Sequence, residues 1–125
     1  MIVGIGVDTI ERARVERELT GGSWAAGQGV FTDGEIARCE RGAQPGMRYA
    51  TCFAAKEATL KALGREVEDL GLLREVELVQ GGNDKPAITL HARMQSEGQR
   101  LGVRRIWLSM AATEEHACAV VIVES

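Results

Sequence analysis

The chain opens on an apolar run, Ile2, Val3, Ile5 and Val7, with Gly4 and Gly6 inside it and Asp8 at its end. Glycines within such a run mark a strand that other backbone approaches closely, so a buried strand is predicted up to Asp8. A helical period follows, with Ile10, Val15 and Leu19 near one face. The glycine-rich stretch at 20–29 reads as a loop. Thr32 and Glu35 have the spacing of a capping box and open a second helix to about Arg41. After a turn at 42–46, a long third helix runs from about Met47 to Leu63 and stops at Gly64. A charged, flexible link leads to Gly71. R-E-V-E-L-V at 74–79 alternates like a strand, G-G-N-D-K-P is a hairpin loop, and A-I-T-L-H-A is its partner strand. A short helix at 93–101 ends at Gly102, and two strands at 106–111 and 116–123 close the chain. The order β-ααα-ββ-α-ββ predicts an α+β fold, a mainly antiparallel sheet with helices packed on one side.

Length limits this to a single domain over residues 1–125. Aromatic residues make up only 4%, so the core is expected to be aliphatic and alanine-rich. A net charge of −3 argues against a nucleic-acid partner. No apolar segment approaches the roughly 20 residues of a membrane span. The first apolar run is short, lacks a basic leader and carries Asp8, which argues against a signal peptide. The three cysteines, Cys39, Cys52 and Cys118, have no C-x-x-C spacing. That speaks against a disulfide framework and a structural zinc site, and fits a reducing cytoplasm.

The chemistry concentrates on two segments. On the third helix, Phe53, Glu57, Leu60 and Gly64 share one face, which sets the Glu57 carboxylate in or beside an apolar stripe. A carboxylate is buried at high cost unless it is paired or bound to a metal. Either a surface pair with Lys61 or a metal ion satisfies that condition. Asp8, where strand meets helix, also has two readings: a helix N-cap assisted by Glu11, or a metal ligand. Two carboxylates on separate elements suit a hard divalent cation such as Mg²⁺, which keeps several waters and binds substrate phosphates. Along the first helix, Arg12, Arg14 and Arg17 form a basic ridge among Glu11, Glu16 and Glu18.

G-I-G-V-D followed by Arg14, V-F-T-x-x-E at 30–35 and F-A-A-K-E-A-x-x-K-A-L-G at 53–64 resemble the holo-acyl-carrier-protein synthase family of small 4′-phosphopantetheinyl transferases. N-D-K-P at 83–86 and the closing hairpin resemble that family too, so the likeness spans nearly the whole chain in order. The resemblance implies an Mg²⁺-dependent enzyme. It would move the phosphopantetheine arm of coenzyme A onto a serine of an apo acyl carrier protein and release adenosine 3′,5′-bisphosphate. It further implies Asp8 and Glu57 as metal ligands, and Glu57 and Lys61 as catalytic residues. Arg48, Lys56, Lys61, Lys85 and Pro86 would bind coenzyme A, Arg14 and Arg17 would dock the carrier, and the assembly would be a homotrimer. Many members carry Arg immediately before F-A-A-K-E-A, where this chain has Cys52; Arg48, one turn earlier, is the candidate substitute. The competing reading is a non-catalytic coenzyme A or carrier-protein binding module of the same fold.

Overall fold

The computed structural model describes every residue except 23, 25–28 and 68. Strand β1 runs past Asp8 (Ile2–Glu11), and helix α1 (Arg12–Gly21) starts only after it, with no side-chain cap from Glu11. Asp8 therefore does not cap a helix; it sits inside a strand, opposite Ala119. The loop expected at 20–29 begins only beyond α1, and most of it lies outside the described residues.

Helix α2 (Asp33–Cys39) opens on the expected capping box: Thr32 N–H donates to Glu35 Oε1 at 2.9 Å, and Glu35 N–H to Thr32 Oγ1 at 3.2 Å. Helix α3 (Pro45–Ala62) starts on a proline, whose missing N–H costs nothing in a first turn. Its end is followed by Gly64 at φ +74°, a left-handed position suited to glycine. A one-turn helix, α4 (Gly71–Arg74), begins where the expected link ends and takes in Arg74, the first residue of the expected strand. Asp69 Oδ1 accepts from Leu72 N–H at 3.1 Å, and Leu72 and Leu73 are fully buried, which anchors the turn to the core. The remaining elements are β2 (Val76–Gln80), β3 (Pro86–Leu90), α5 (Ala92–Arg100), β4 (Arg105–Ala112) and β5 (His116–Glu124).

The strands divide into two antiparallel sheets, a three-stranded one in the order β1-β5-β4 and the hairpin β2-β3. Helix α3 is the spine. Ala50, Ala54, Ala55 and Ala58 are wholly buried, as expected of a helix enclosed on most sides. One of its faces lies against β1 and β5, where Ala117, Ala119, Val121 and Val123 point inward.

The glycines of β1 set how close the helix comes. A Cβ at Gly4 would lie 1.9 Å from the Ala62 carbonyl oxygen, and one at Gly6 would lie 1.9 Å from that of Ala58. Close approach by other backbone is thus as expected, but the burial of the apolar run is not. Gly6, Asp8 and Ile10 face inward, while Ile5 and Val7 face outward at 61% and 58% exposure. The helix occupies the glycine face, so strand alternation turns the larger side chains to the outside.

Alanine and aliphatic residues fill the core beneath the sheet, but the buried aromatics gather at one place. Trp24 stacks on Phe53 with centroids 4.6 Å apart, and Phe31 meets Trp24 and Tyr49 at 5.9 and 4.9 Å. The core is therefore aromatic where α2 and α3 meet and aliphatic elsewhere.

Candidate active site

The close crossing of β1 and α3 brings the two carboxylates together. Asp8 is 8% exposed, and Glu57 is half-buried beside it. The Glu57 carboxyl is pushed from the usual 4.5 up to about 7, first by burial and then by the negative charge and hydrogen-bonding proximity of Asp8; Lys61 and Arg14 pull it the other way. Two neighbouring carboxylates cannot bond each other when both are ionised, but they can share a proton. Asp8 Oδ2 is buried and has no hydrogen-bond partner among the described residues, an open lone-pair position inside the site.

Lys61, one turn beyond Glu57, does not form the i,i+4 pair with it. Its ammonium donates instead to Asp8 Oδ1 at 3.0 Å and to the Val7 carbonyl at 3.1 Å. The side chain is half-exposed and spans the gap from helix to strand, neutralising one side of Asp8. Arg14 is exposed on α1 and close enough to Glu57 for its charge to act there; Arg17 is exposed on the same helix.

Lys56 requires a correction. It neither lies on the surface nor reaches toward a phosphate. It is completely buried, with Nζ 2.5 Å from Glu35 Oε1 and 2.7 Å from the Val76 carbonyl. Glu35 Oε2 also accepts from Leu78 N–H at 2.7 Å, so one carboxylate ties α2, α3 and β2 together. Both ends of this ion pair are enclosed, and no face of the ammonium is left for a ligand. The sequence could have suggested the partner only through Glu35, whose capping-box role fully explained it.

Of the other expected coenzyme contacts, Arg48 and Pro86 line one cavity of about 280 Å³, while Lys85 is exposed in the turn before Pro86. Arg38 and Arg41 line that cavity as well, a cationic cluster that sequence reasoning missed. Arg38 also donates to the Leu78 carbonyl, which fixes its guanidinium against the β2-β3 hairpin. No motif marks these arginines; they meet only because α2, α3 and the hairpin converge.

The donor set suits a cation that shares its coordination with solvent and substrate. Among the described residues no group of three or more His, Cys, Asp and Glu side chains is placed to hold a metal. Two carboxylates, one with an unpartnered buried oxygen, match Mg²⁺, which characteristically keeps waters and takes phosphate oxygens.

A model of the 4′-phosphopantetheinyl transferase superfamily matches residues 4–121. The holo-[acyl-carrier-protein] synthase of Solibacter usitatus (strain Ellin6076) is 37% identical over 125 residues, covering 100% of both chains. The crystal structure of the holo-[acyl-carrier-protein] synthase of Neisseria meningitidis superposes with a TM-score of 0.88 at 27% identity, covering 100% of both chains. The Bacillus anthracis synthase, solved in complex with coenzyme A (3′,5′-ADP), superposes with a TM-score of 0.79 at 28% identity, covering 100% of this chain and 98% of that one. Matched along its length in sequence and in fold, with its paired carboxylates where strand and helix cross, the chain belongs to the 4′-phosphopantetheinyl transferase superfamily, among the holo-[acyl-carrier-protein] synthases.

Proposed function

We propose that this protein transfers the 4′-phosphopantetheine group of coenzyme A to a serine of an apo acyl carrier protein, in the presence of Mg²⁺, and releases adenosine 3′,5′-bisphosphate. The observation that carries the reading is the Asp8–Glu57 carboxylate pair, bridged to solvent by Lys61, in a chain of this family. The serine oxygen forms a bond to the β-phosphorus of the pyrophosphate and the bond to the leaving nucleotide phosphate breaks, so positioning and charge neutralisation dominate catalysis.

Asp8 and Glu57 are the residues that would hold Mg²⁺. When bound, the ion supplies Lewis-acid neutralisation of the pyrophosphate oxygens. Asp8 is held rigid by its strand and offers its unpartnered Oδ2 inward. Glu57, with a carboxyl near neutrality, is the group that takes the serine proton, directly or through a water. Lys61 balances the charge of Asp8 and stands one turn from Glu57, in reach of the departing phosphate. Arg48 and Pro86, with Arg38 and Arg41, form the coenzyme-facing cavity; Lys85 lies at its edge in sequence. An acidic carrier protein docks on Arg14 and Arg17, beside the carboxylates.

The assembly is a homotrimer with its sites between subunits. The outer face of the three-stranded sheet supports this: Ile5, Val7, Trp107 and Val120 are 61%, 58%, 49% and 40% exposed, an apolar surface suited to burial against a second copy. No helix among the described residues is long and apolar enough to cross a membrane, and we place the enzyme in the cytoplasm.

Incubating apo acyl carrier protein with coenzyme A, Mg²⁺ and this protein, followed by intact-mass spectrometry, tests the reading. The carrier should gain one phosphopantetheine on its serine. An unmodified carrier alongside measurable coenzyme A binding would favour a binding module instead.

A further inference from the structure

Two thiols that the transfer chemistry leaves unused lie at the joint between α2 and α3, near enough for each to shift the other's titration. Cys39 is the last residue of α2 and Cys52 lies in the first half of α3. Both are buried, yet both line a cavity of about 270 Å³ that they share with Arg38 and Arg48. That is room for a small oxidant, since a single water needs only about 30 Å³ of liquid volume. We propose that Cys39 and Cys52 form a hydroperoxide-sensitive modification site that closes to an intramolecular disulfide.

The pair is chemically asymmetric, as an attacking thiol and its resolving partner need to be. The neighbouring Cys52 thiol, aided by the Arg38 charge, holds the Cys39 thiol below its usual range. Burial, then the Cys39 thiol beside it and the nearby Glu35 charge, push Cys52 well above it. Burial, Glu35 and Glu40 oppose the effect on Cys39 without reversing it.

The chemistry balances with a hydroperoxide as oxidant. The Cys39 thiolate attacks the terminal peroxide oxygen, and the O–O bond breaks. The other oxygen leaves as water or an alcohol after taking up a proton, and Cys39 becomes a sulfenic acid. The Cys52 sulfur then attacks the Cys39 sulfur; the displaced hydroxide leaves as water with the Cys52 proton. In sum, two thiols and one hydroperoxide give one disulfide, one water and one water or alcohol, with two electrons passing from sulfur to oxygen.

The test is independent of transferase activity. The whole protein is treated with hydrogen peroxide, quenched, and assayed for free thiols under denaturing conditions and by peptide mapping. The three thiols of the chain should fall to one, with the Cys39 and Cys52 peptides joined, and dithiothreitol should restore all three. The Cys118→Ser variant should still form the joined peptide. Cys39→Ser and Cys52→Ser should each lose it; using both guards against one of them misfolding. Three unreacted thiols, a linkage through Cys118, or Cys39 and Cys52 carried to sulfinic acid without joining would each overturn the proposal.

Discussion

At Glu57 a single carboxylate would connect stability, metal affinity and catalysis in the proposed reaction. Its carboxyl titrates near 7 in the folded chain, against the usual 4.5 once the chain unfolds. Below about pH 4 both states carry the proton, and pH has no leverage on stability. Between 4.5 and 7 the folded chain keeps a proton that the unfolded chain has released, so stability falls as pH rises, and above 7 the full cost applies. Allowing for solvent screening of a half-buried side chain, that cost is about 1–2 kcal/mol. In metal-free buffer Glu57→Gln should therefore be more stable than the parent at pH 8 and indistinguishable at pH 4, measured by urea denaturation. The same variant, and Asp8→Asn, should lose transfer by at least roughly 10²-fold, since each removes a ligand charge and Glu57→Gln also removes the base. Near-parental turnover in either would remove that residue from its proposed role. Mg²⁺ affinity, read by calorimetry, should rise from pH 6 to pH 8 as Glu57 gives up its proton.

Among the elements, β1 and α3 depend on one another through atoms that are missing from side chains. Gly6→Ala would force a Cβ to within 1.9 Å of the Ala58 carbonyl oxygen, so strand and helix must separate. Overpacking of this kind typically costs about 1–3 kcal/mol. Because Asp8 is on the strand and Glu57 on the helix, transfer should fall further than stability alone explains, measured at a temperature where the variant is folded. Lys56 belongs to this scale as well. Lys56→Met would strand the Glu35 carboxylate in the core, at about 3–5 kcal/mol, seen as a lowered urea midpoint. In the proposed docking, helix α1 would contribute through its exposed cations. Arg14→Glu should raise the KM for the carrier several-fold, by about 1–2 kcal/mol of binding, and leave the KM for coenzyme A nearly unchanged. The effect should shrink at high salt, because a charge at the edge of an interface mainly steers encounter. Equal damage to both constants would place the carrier elsewhere.

For the whole molecule, the decisive surface is the outer face of the β1-β5-β4 sheet. Its apolar side chains would be an ordinary core if a second copy covered them. Sedimentation at micromolar concentration should report a trimer, and Val7→Asp, on that face, should shift it toward monomer. A wild-type monomer under those conditions would leave the exposed face unexplained and remove the intersubunit site from the proposal.

Much of this architecture is legible locally. The capping box of Thr32 and Glu35, the helix running to Gly64, the hairpin around 81–86 and the close approach signalled by Gly4 and Gly6 depend on neighbours within a few residues, where backbone sterics and periodicity act. So does the placement of Glu57 at the edge of an apolar stripe. The long-range partnerships are different in kind. Lys61 was free to choose Glu57, four residues away, yet it bonds Asp8, 53 residues away, because the glycine face of β1 lets α3 bring that carboxylate within reach. Lys56 turned inward because Glu35 and the Val76 carbonyl meet it in the core. Ile5 and Val7 turned outward because the helix took the opposite face. Hydrophobicity along the chain specifies that a face be covered; which neighbour covers it, and which charges are enclosed with it, follows from packing.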